Sequence, residues 1–101
     1  MQLIINEFSC GNVNNYFFDA EKKVCFVNNE RKNIDIETTM QQLLNVLCGA
    51  ETKMENNSII DGNTFEIQII KGESMRNYHF KNSFPKGFFE FTKILGGLKQ
   101  C

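Results

Sequence analysis

The hydrophobic positions in the first third of the chain follow the pattern of short β-strands. Residues 3–8 are rich in strand-forming side chains and end at a Ser-Cys-Gly-Asn cluster that interrupts regular structure. Residues 16–18 and 24–27 are two further apolar runs, and the polar connector 19–22 between them has the length of a hairpin loop. We therefore expect three strands, the second and third antiparallel, followed by a polar loop over residues 28–33.

From Ile36 the hydrophobic period lengthens to that of an amphipathic helix. Five apolar side chains recur at helical spacing and share one stripe: Ile36, Met40, Leu43, Leu44 and Leu47. Asp35 suits the N-cap of this helix, and Gly49 suits the left-handed position after its last turn. The spacing predicts a helix that begins at Ile36 and packs its stripe into the core.

A second group of strands is predicted after this helix. Residues 59–60 are a short apolar strand, and the Asp61-Gly62 dipeptide favours a tight hairpin turn after it. Apolar and polar side chains alternate over residues 65–69, which is typical of a strand with one buried face. A turn at 71–73 then returns the chain through residues 75–81. These residues predict two adjacent hairpins.

The last part of the chain predicts a second helix. Ser83 can cap it, Pro85 is acceptable in its first turn, and Gly96-Gly97 is expected to fray or end it. Its apolar stripe consists of Phe84, Phe88, Phe91, Leu95 and Leu98. The element order β-β-β-α-β-β-β-α indicates an α+β fold, with an antiparallel or mixed sheet of about five to six strands and two helices covering one face.

Length and composition agree with one folded domain over residues 1–101. Hydrophobic residues make up 42% of the chain and charged residues 23%, as in ordinary globular proteins. Residues 1–7 lack the basic leader and the apolar stretch of a secretion signal. No apolar run approaches the roughly 18 residues that span a bilayer. We expect a soluble, cytoplasmic protein that makes no membrane contact.

The four cysteines are Cys10, Cys25, Cys48 and Cys101. In a reducing cytoplasm they are expected to remain free thiols, with Cys25 and Cys48 acting as small buried hydrophobes. Their spacing contains no C-x-x-C pair and the chain has a single histidine, so we expect no zinc site. The seven glycines form neither a dinucleotide-binding motif nor a P-loop. No cofactor is therefore expected.

Catalytic chemistry has one candidate pair in this sequence. A nucleophile requires a base within hydrogen-bond reach, and His79 is the only histidine. Cys10 lies in a Gly-Asn-rich loop where it could be exposed, so Cys10 with His79 is the sharpest enzyme hypothesis. A histidine on the polar face of a strand is far more often a solvated surface residue, and we therefore expect a protein that is not an enzyme.

Charge and aromatic content leave two kinds of binding open. Residues 1–75 carry six Lys or Arg against eleven Asp or Glu, whereas residues 76–101 carry five against one. In the basic part, Arg76 to Lys81 interleaves basic and aromatic residues, which could stack single-stranded bases. Tyr78 and Phe80 of this segment are, however, the natural core residues of their strand. Phe17, Phe89 or Tyr16 lies off the inferred inward stripes, and such aromatics favour a protein interface.

The leading functional expectation is a protein-binding domain, in particular a small inhibitor such as an immunity or antitoxin protein that occludes a toxin or nuclease. Because the acidic part could steer a basic partner, the expected contact residues are its turn and surface carboxylates: Asp19, Glu21, Glu30, Asp61, Glu66 and Glu73. The alternatives are a nucleic-acid-binding module that uses the basic C-terminal part and a thiol-dependent enzyme that uses Cys10. The sequence leaves the partner, the binding surface, the strand order and the oligomeric state open.

Overall fold

The structure is a computed structural model that describes residues 1–9, 11–49, 54–55, 63–81, 84–85 and 87–100. In chain order its elements are β1 (Gln2–Ser9), β2 (Asn12–Asp19), β3 (Val24–Val27), β4 (Glu30–Lys32), α1 (Ile36–Gly49), β5 (Met54–Glu55), β6 (Asn63–Lys71), β7 (Ser74–Phe80), β8 (Phe84–Pro85) and α2 (Phe88–Gln100). The expected α+β class is confirmed. The predicted strand at 59–60 and the Asp61-Gly62 turn lie outside the described residues.

Six of the strands form one sheet in the order β4-β3-β2-β1-β6-β7, and every neighbouring pair is antiparallel. The remaining two, β5 and β8, pair with each other in a separate two-stranded sheet. The first strand therefore lies in the middle of the large sheet, between the two groups of hairpin-connected strands. The β6–β7 hairpin that the alternation predicted is confirmed.

The core lies between one face of the six-stranded sheet and the two helices. Directly opposed residues of antiparallel strands share a face, so Leu3 lies beside Phe18 and Ile69 on the covered side. The sheet contributes nine buried hydrophobics: Leu3, Ile5, Tyr16, Phe18, Cys25, Val27, Phe65, Ile67 and Phe80. The helices contribute Ile36, Met40, Leu43, Leu47, Phe88, Phe91, Leu95 and Leu98. Two helices therefore cover one face, as expected.

Helix α1 begins as its sequence predicts. The Asp35 carboxylate accepts hydrogen bonds from the Thr38 backbone amide at 3.1 Å and from the Thr38 hydroxyl at 2.9 Å. These bonds hold the pKa of Asp35 below its usual value because they stabilise the ionised carboxylate. The N-cap is thereby confirmed, and the apolar stripe that follows it is buried, apart from the half-buried Leu44.

The polar segment 28–33 was predicted as a loop, and this prediction is wrong in its second half. Asn28 and Asn29 have φ values of 52° and 70° and form a two-residue turn between β3 and β4. Two left-handed residues are what a tight hairpin turn of type I′ requires, and asparagine tolerates that conformation. Residues 30–32 therefore return along β3 as a short strand.

Helix α2 begins later and ends later than predicted. Phe84 and Pro85 form β8, whereas the predicted cap, Ser83, lies outside the described residues. Gly87 has φ of 82°, outside the helical region, so the helix begins at the next residue. At the other end the helix continues through Gly96-Gly97 to Gln100, and the predicted stop is wrong.

Within the part of the chain that the structure describes, none of the helices has the length and apolar character needed to cross a membrane.

Candidate functional site

The candidate site is the face of the six-stranded sheet that points away from α1 and α2, which we call the open face. Its members alternate along each strand with the buried residues and follow from the pairing register. They are Gln2, Ile4, Asn6, Phe8, Val13, Asn15, Phe17, Asp19, Val24, Phe26, Arg31, Thr64, Glu66, Gln68, Ile70, Met75, Asn77 and His79. Both described helices pack on the other face, so these side chains form a surface.

The centre of the open face is an apolar row across three strands. Phe26, Phe17 and Ile4 are directly opposed on β3, β2 and β1, and all three are half-buried. The rings of Phe17 and Phe26 lie 6.4 Å apart in a tilted arrangement, a separation at which aromatic pairs attract each other. The rings are thus positioned by the sheet register rather than by a loop.

Three exposed apolar side chains also lie on the open face, at two separate places. Phe8 and Val13 are a cross-strand pair, 37% and 50% exposed, and Met75 on β7 is 59% exposed. Among the described residues, the fourth exposed large hydrophobic is Phe89 on α2, at 41%. Three of these four side chains therefore lie on the open face. Apolar side chains that share one exposed face are typical of an interaction surface.

The polar part of the open face consists mainly of neutral groups. Glu66, Gln68, Asn77 and His79 line a shallow depression between β6 and β7. Arg31 lies at the opposite edge, so positive charge on this face is sparse. The face can donate and accept hydrogen bonds, but it lacks the basic stripe that attracts a phosphate backbone.

Asp19, the first of the predicted contact residues, is engaged within its own turn. One of its carboxylate oxygens accepts hydrogen bonds from the backbone amides of Glu21 at 3.0 Å and Lys22 at 3.1 Å, and the other accepts one from the Gln2 side chain at 3.3 Å. These contacts, the Lys22 amide first among them, lower the pKa of Asp19. Only 4% of the residue is exposed. The carboxylate holds the β2–β3 turn.

The other predicted carboxylates do not gather at one place. Glu21 and Glu73 occupy turns at the same end of the sheet, where Glu21 lies 3.9 Å from the N-terminal amine of Met1. Glu30 lies on the edge strand β4 and pairs with Lys32 at 3.7 Å. Glu66 alone is an exposed carboxylate on the open face, opposite Asn6 and His79, whereas Asp61 lies outside the described residues.

Among the residues considered for chemistry, the structure describes His79, Cys25 and Cys48. His79 is exposed on the open face beside Glu66, whereas Cys10 lies outside the described residues. Burial raises the pKa of the Cys25 thiol to about 11, so this thiol is protonated at neutral pH. Cys48 is exposed rather than buried, because it lies next to the apolar stripe of α1 and not within it. In the described ranges, no three His, Cys, Asp or Glu side chains are grouped to hold a metal ion.

The aromatic residues of the basic segment face the helices. Phe80 is buried among Phe65, Phe84 and Phe88, and Tyr78 stacks on it with ring centroids 5.8 Å apart. As expected, they share a face that His79 does not. The two rings proposed to stack nucleic-acid bases are therefore not part of the open face.

A buried polar cluster at the end of β1 has no counterpart in the sequence analysis. The Glu7 carboxylate accepts hydrogen bonds from the Asn14 side chain at 3.1 Å and the Tyr16 hydroxyl at 3.4 Å, and Lys99 of α2 lies 3.9 Å away. Burial and the neighbouring Glu7 charge raise the pKa of Tyr16. The sequence does contain a signal for the burial of Glu7, because Glu7 continues the inward alternation of Leu3 and Ile5 along β1. This cluster ties α2 to the sheet.

The chain matched no protein-family model, no curated protein and no solved structure.

Proposed function

We propose that the chain is a non-enzymatic protein-binding domain that inhibits a partner by occluding it, in the manner of an immunity or antitoxin protein, and that it binds with the open face. The observation that carries the proposal is the number of apolar side chains on this face: the exposed Phe8, Val13 and Met75 accompany the half-buried Phe17–Phe26 pair. Leaving such side chains in water costs free energy that a partner could recover.

The chemistry of the open face favours a protein over other ligands. Protein interfaces are enriched in aromatic residues and methionine and are depleted of charge at their centre. The open face has an apolar centre at Phe17 and neutral amides around it, such as Asn6, Asn15 and Asn77. It is also broad and anchored in six strands, so a partner would meet a surface that needs little ordering on binding.

The charge distribution favours a basic partner. Residues 1–75 have an excess of five negative charges. On the open face itself, Glu66 is the exposed carboxylate and Arg31 lies at the β4 edge, so most of that excess is not carried by this face. Opposite charge increases the rate at which two proteins meet and disfavours partners of the wrong sign. A nuclease is one class of toxin with a basic cleft, because it binds phosphates. Glu66 is the open-face carboxylate in the best position to meet such a cleft.

The test begins with the protein that co-purifies in equimolar amount from the native cell. We expect equimolar wild-type chain to abolish the activity of that protein. The double variant Phe8→Thr with Val13→Thr keeps strand-forming residues but removes exposed apolar surface, and it should bind at least about tenfold more weakly. Phe89→Thr removes an equally exposed ring from α2 and should bind as the wild type does.

Two results would contradict the proposal. One is a partner whose activity is unaffected by a saturating amount of the chain. The other is equal affinity of the wild type and the Phe8→Thr/Val13→Thr variant. Recovery of RNA in place of protein would favour the nucleic-acid alternative.

A further inference from the structure

Strand β7 is one edge of the six-stranded sheet. In the described part of the chain it pairs only with β6. Its seven residues, Ser74–Phe80, are matched one to one with β6 and contain neither proline nor a bulge. An edge of this kind presents a row of backbone amides and carbonyls to any strand that can lie beside it.

The hairpin geometry identifies the backbone groups of β7 that point outward. Lys71 and Ser74 flank a two-residue turn in which Gly72 has φ of 60°. In such a hairpin the flanking pair is hydrogen-bonded, and hydrogen-bonded and non-hydrogen-bonded pairs then alternate along the strands. Residues 75, 77 and 79 of β7 therefore direct their amides and carbonyls away from β6.

The opposite edge of the sheet is protected. Strand β4 has only three residues, Glu30, Arg31 and Lys32, and all three are charged. Lys32 points to the covered side and is 8% exposed. Short charged edge strands with an inward-pointing charge prevent edge-to-edge pairing. The seven-residue β7 has one permanently charged side chain, Arg76, so the two edges differ in their capacity to pair.

The sequence of β7 suits antiparallel pairing with itself. Centred on Asn77, two copies align over the full length of the strand, with Met75 opposite His79 and Arg76 opposite Tyr78. In this register Met75 pairs with His79 of the second copy and Asn77 pairs with Asn77. These are the residues whose backbone groups point outward, so every outward amide and carbonyl acquires a hydrogen-bond partner. A cationic guanidinium opposite a tyrosine ring is a favourable pair. A register centred on Arg76 would place the two guanidinium groups face to face and leave the end of the strand unpaired.

We propose that two copies of this chain associate through β7, antiparallel and centred on Asn77, to join their six-stranded sheets into one continuous sheet. The two open faces then lie side by side, so one dimer presents two partner-binding surfaces. The proposal rests on the edge geometry alone and does not depend on the function of the open face.

The test compares two substitutions of Asn77 in the full chain. Asn77→Pro removes an outward amide without removing a hydrogen bond to β6, whereas Asn77→Thr keeps the amide and the strand-forming character. Sedimentation equilibrium of the wild type should give a dimer dissociation constant between about 1 µM and 1 mM. Asn77→Pro should raise that constant at least about tenfold, and Asn77→Thr should leave it within about twofold. Circular dichroism should report a folded protein for both.

Amide hydrogen exchange gives a readout that depends on position. In the wild type the amides of residues 75, 77 and 79 should exchange more slowly as the protein concentration rises, because dimerisation pairs them. The amides of residues 76 and 78 already bond to β6 and should change little. A wild type that stays monomeric throughout this concentration range overturns the proposal. So does a dimer in which residues 75, 77 and 79 remain unprotected, or which Asn77→Pro leaves intact.

Discussion

At the scale of single residues, Asp19 and Glu21 show that neighbouring carboxylates in one turn can have opposite roles. Asp19 is nearly buried and accepts three hydrogen bonds, two of them from the backbone of its own turn. Glu21 is 87% exposed and has one distant ionic contact. The sequence marks both as turn acids and contains no signal for which of the two closes the turn.

The Asp19 contacts predict a pH-dependent loss of stability on substitution. Asp19→Asn should lower the thermal midpoint at pH 7, because the amide cannot replace an ionised acceptor of three bonds. The pKa of Asp19 is lower in the folded state than in the unfolded state, so its stabilisation is present above the unfolded value of about 3.9. As the pH falls through the folded pKa, that stabilisation is lost. The difference between Asp19→Asn and wild type should therefore shrink in acid.

Thermal unfolding monitored by circular dichroism from neutral pH to acid provides the measurement. Glu21→Gln is the matched control, since it neutralises an exposed carboxylate in the same turn and should leave the midpoint unchanged. If the thermal midpoint of Asp19→Asn stays below that of the wild type by the same amount down to the lowest pH, the charge of Asp19 does not stabilise the turn.

At the scale of elements, sequence periodicity located most strands and both helices but misplaced several ends. The stripe of α1 was predictable because five apolar residues recur at helical spacing after a capping aspartate. Strand β4 was missed because its three residues are all charged and carry no apolar pattern. Its one signal was Asn28-Asn29, a pair suited to a two-residue turn. The start of α2 was misplaced because β8 pairs with β5, a tertiary contact that sequence periodicity does not record.

Helix α2 contains an unusual pair whose substitution should stabilise the protein. Gly96 and Gly97 lie inside the helix, and an added Cβ would meet no atom within 4 Å at either position. Alanine there would restrict the unfolded chain without a clash, so Gly96→Ala should raise the free energy of unfolding by about 0.5–1 kcal/mol. Urea denaturation measures this change.

Gly72→Ala provides the contrast for Gly96→Ala. Its surroundings are equally open, but its φ of 60° is unfavourable for alanine. We expect Gly72→Ala to lower the free energy of unfolding. If Gly96→Ala also lowers it, the helix does not continue through this position as described.

At the scale of the whole molecule, the sequence predicted a sheet covered on one side but not which surface remains open for binding. The alternation in β6 correctly separated a wet face from a buried one. In β1, however, Leu3, Ile4 and Ile5 are all apolar, so the sequence does not show which of them point into the core. The strand order determines which face of β1 is covered by the helices. Strand β1 lies at the centre of the sheet, and on its open face Ile4 is shielded by the neighbouring Phe17 rather than by a helix. That order depends on long-range pairing.

The last prediction tests whether charge on the open face, rather than net charge, steers the partner. Glu66→Lys changes the net charge by two units on the open face. The combination Gln41→Lys with Asn45→Lys makes the same net change on the exposed side of α1, away from the sheet. If a basic partner binds the open face, Glu66→Lys should slow association about tenfold at low salt. The α1 variant should change it much less, because its charges lie farther from the interface.

Stopped-flow association at two ionic strengths separates the two explanations. Salt screens charges beyond about 8–10 Å. The difference in association rate between Glu66→Lys and the wild type should therefore become smaller as salt is added, while the dissociation rate changes less. Equal slowing by both variants would mean that overall charge alone guides the encounter. No slowing by either variant would remove electrostatic steering from the proposal, and binding would then have to rest on the apolar side chains of the open face, Phe17 and Phe26 at its centre and Phe8, Val13 and Met75 elsewhere on it.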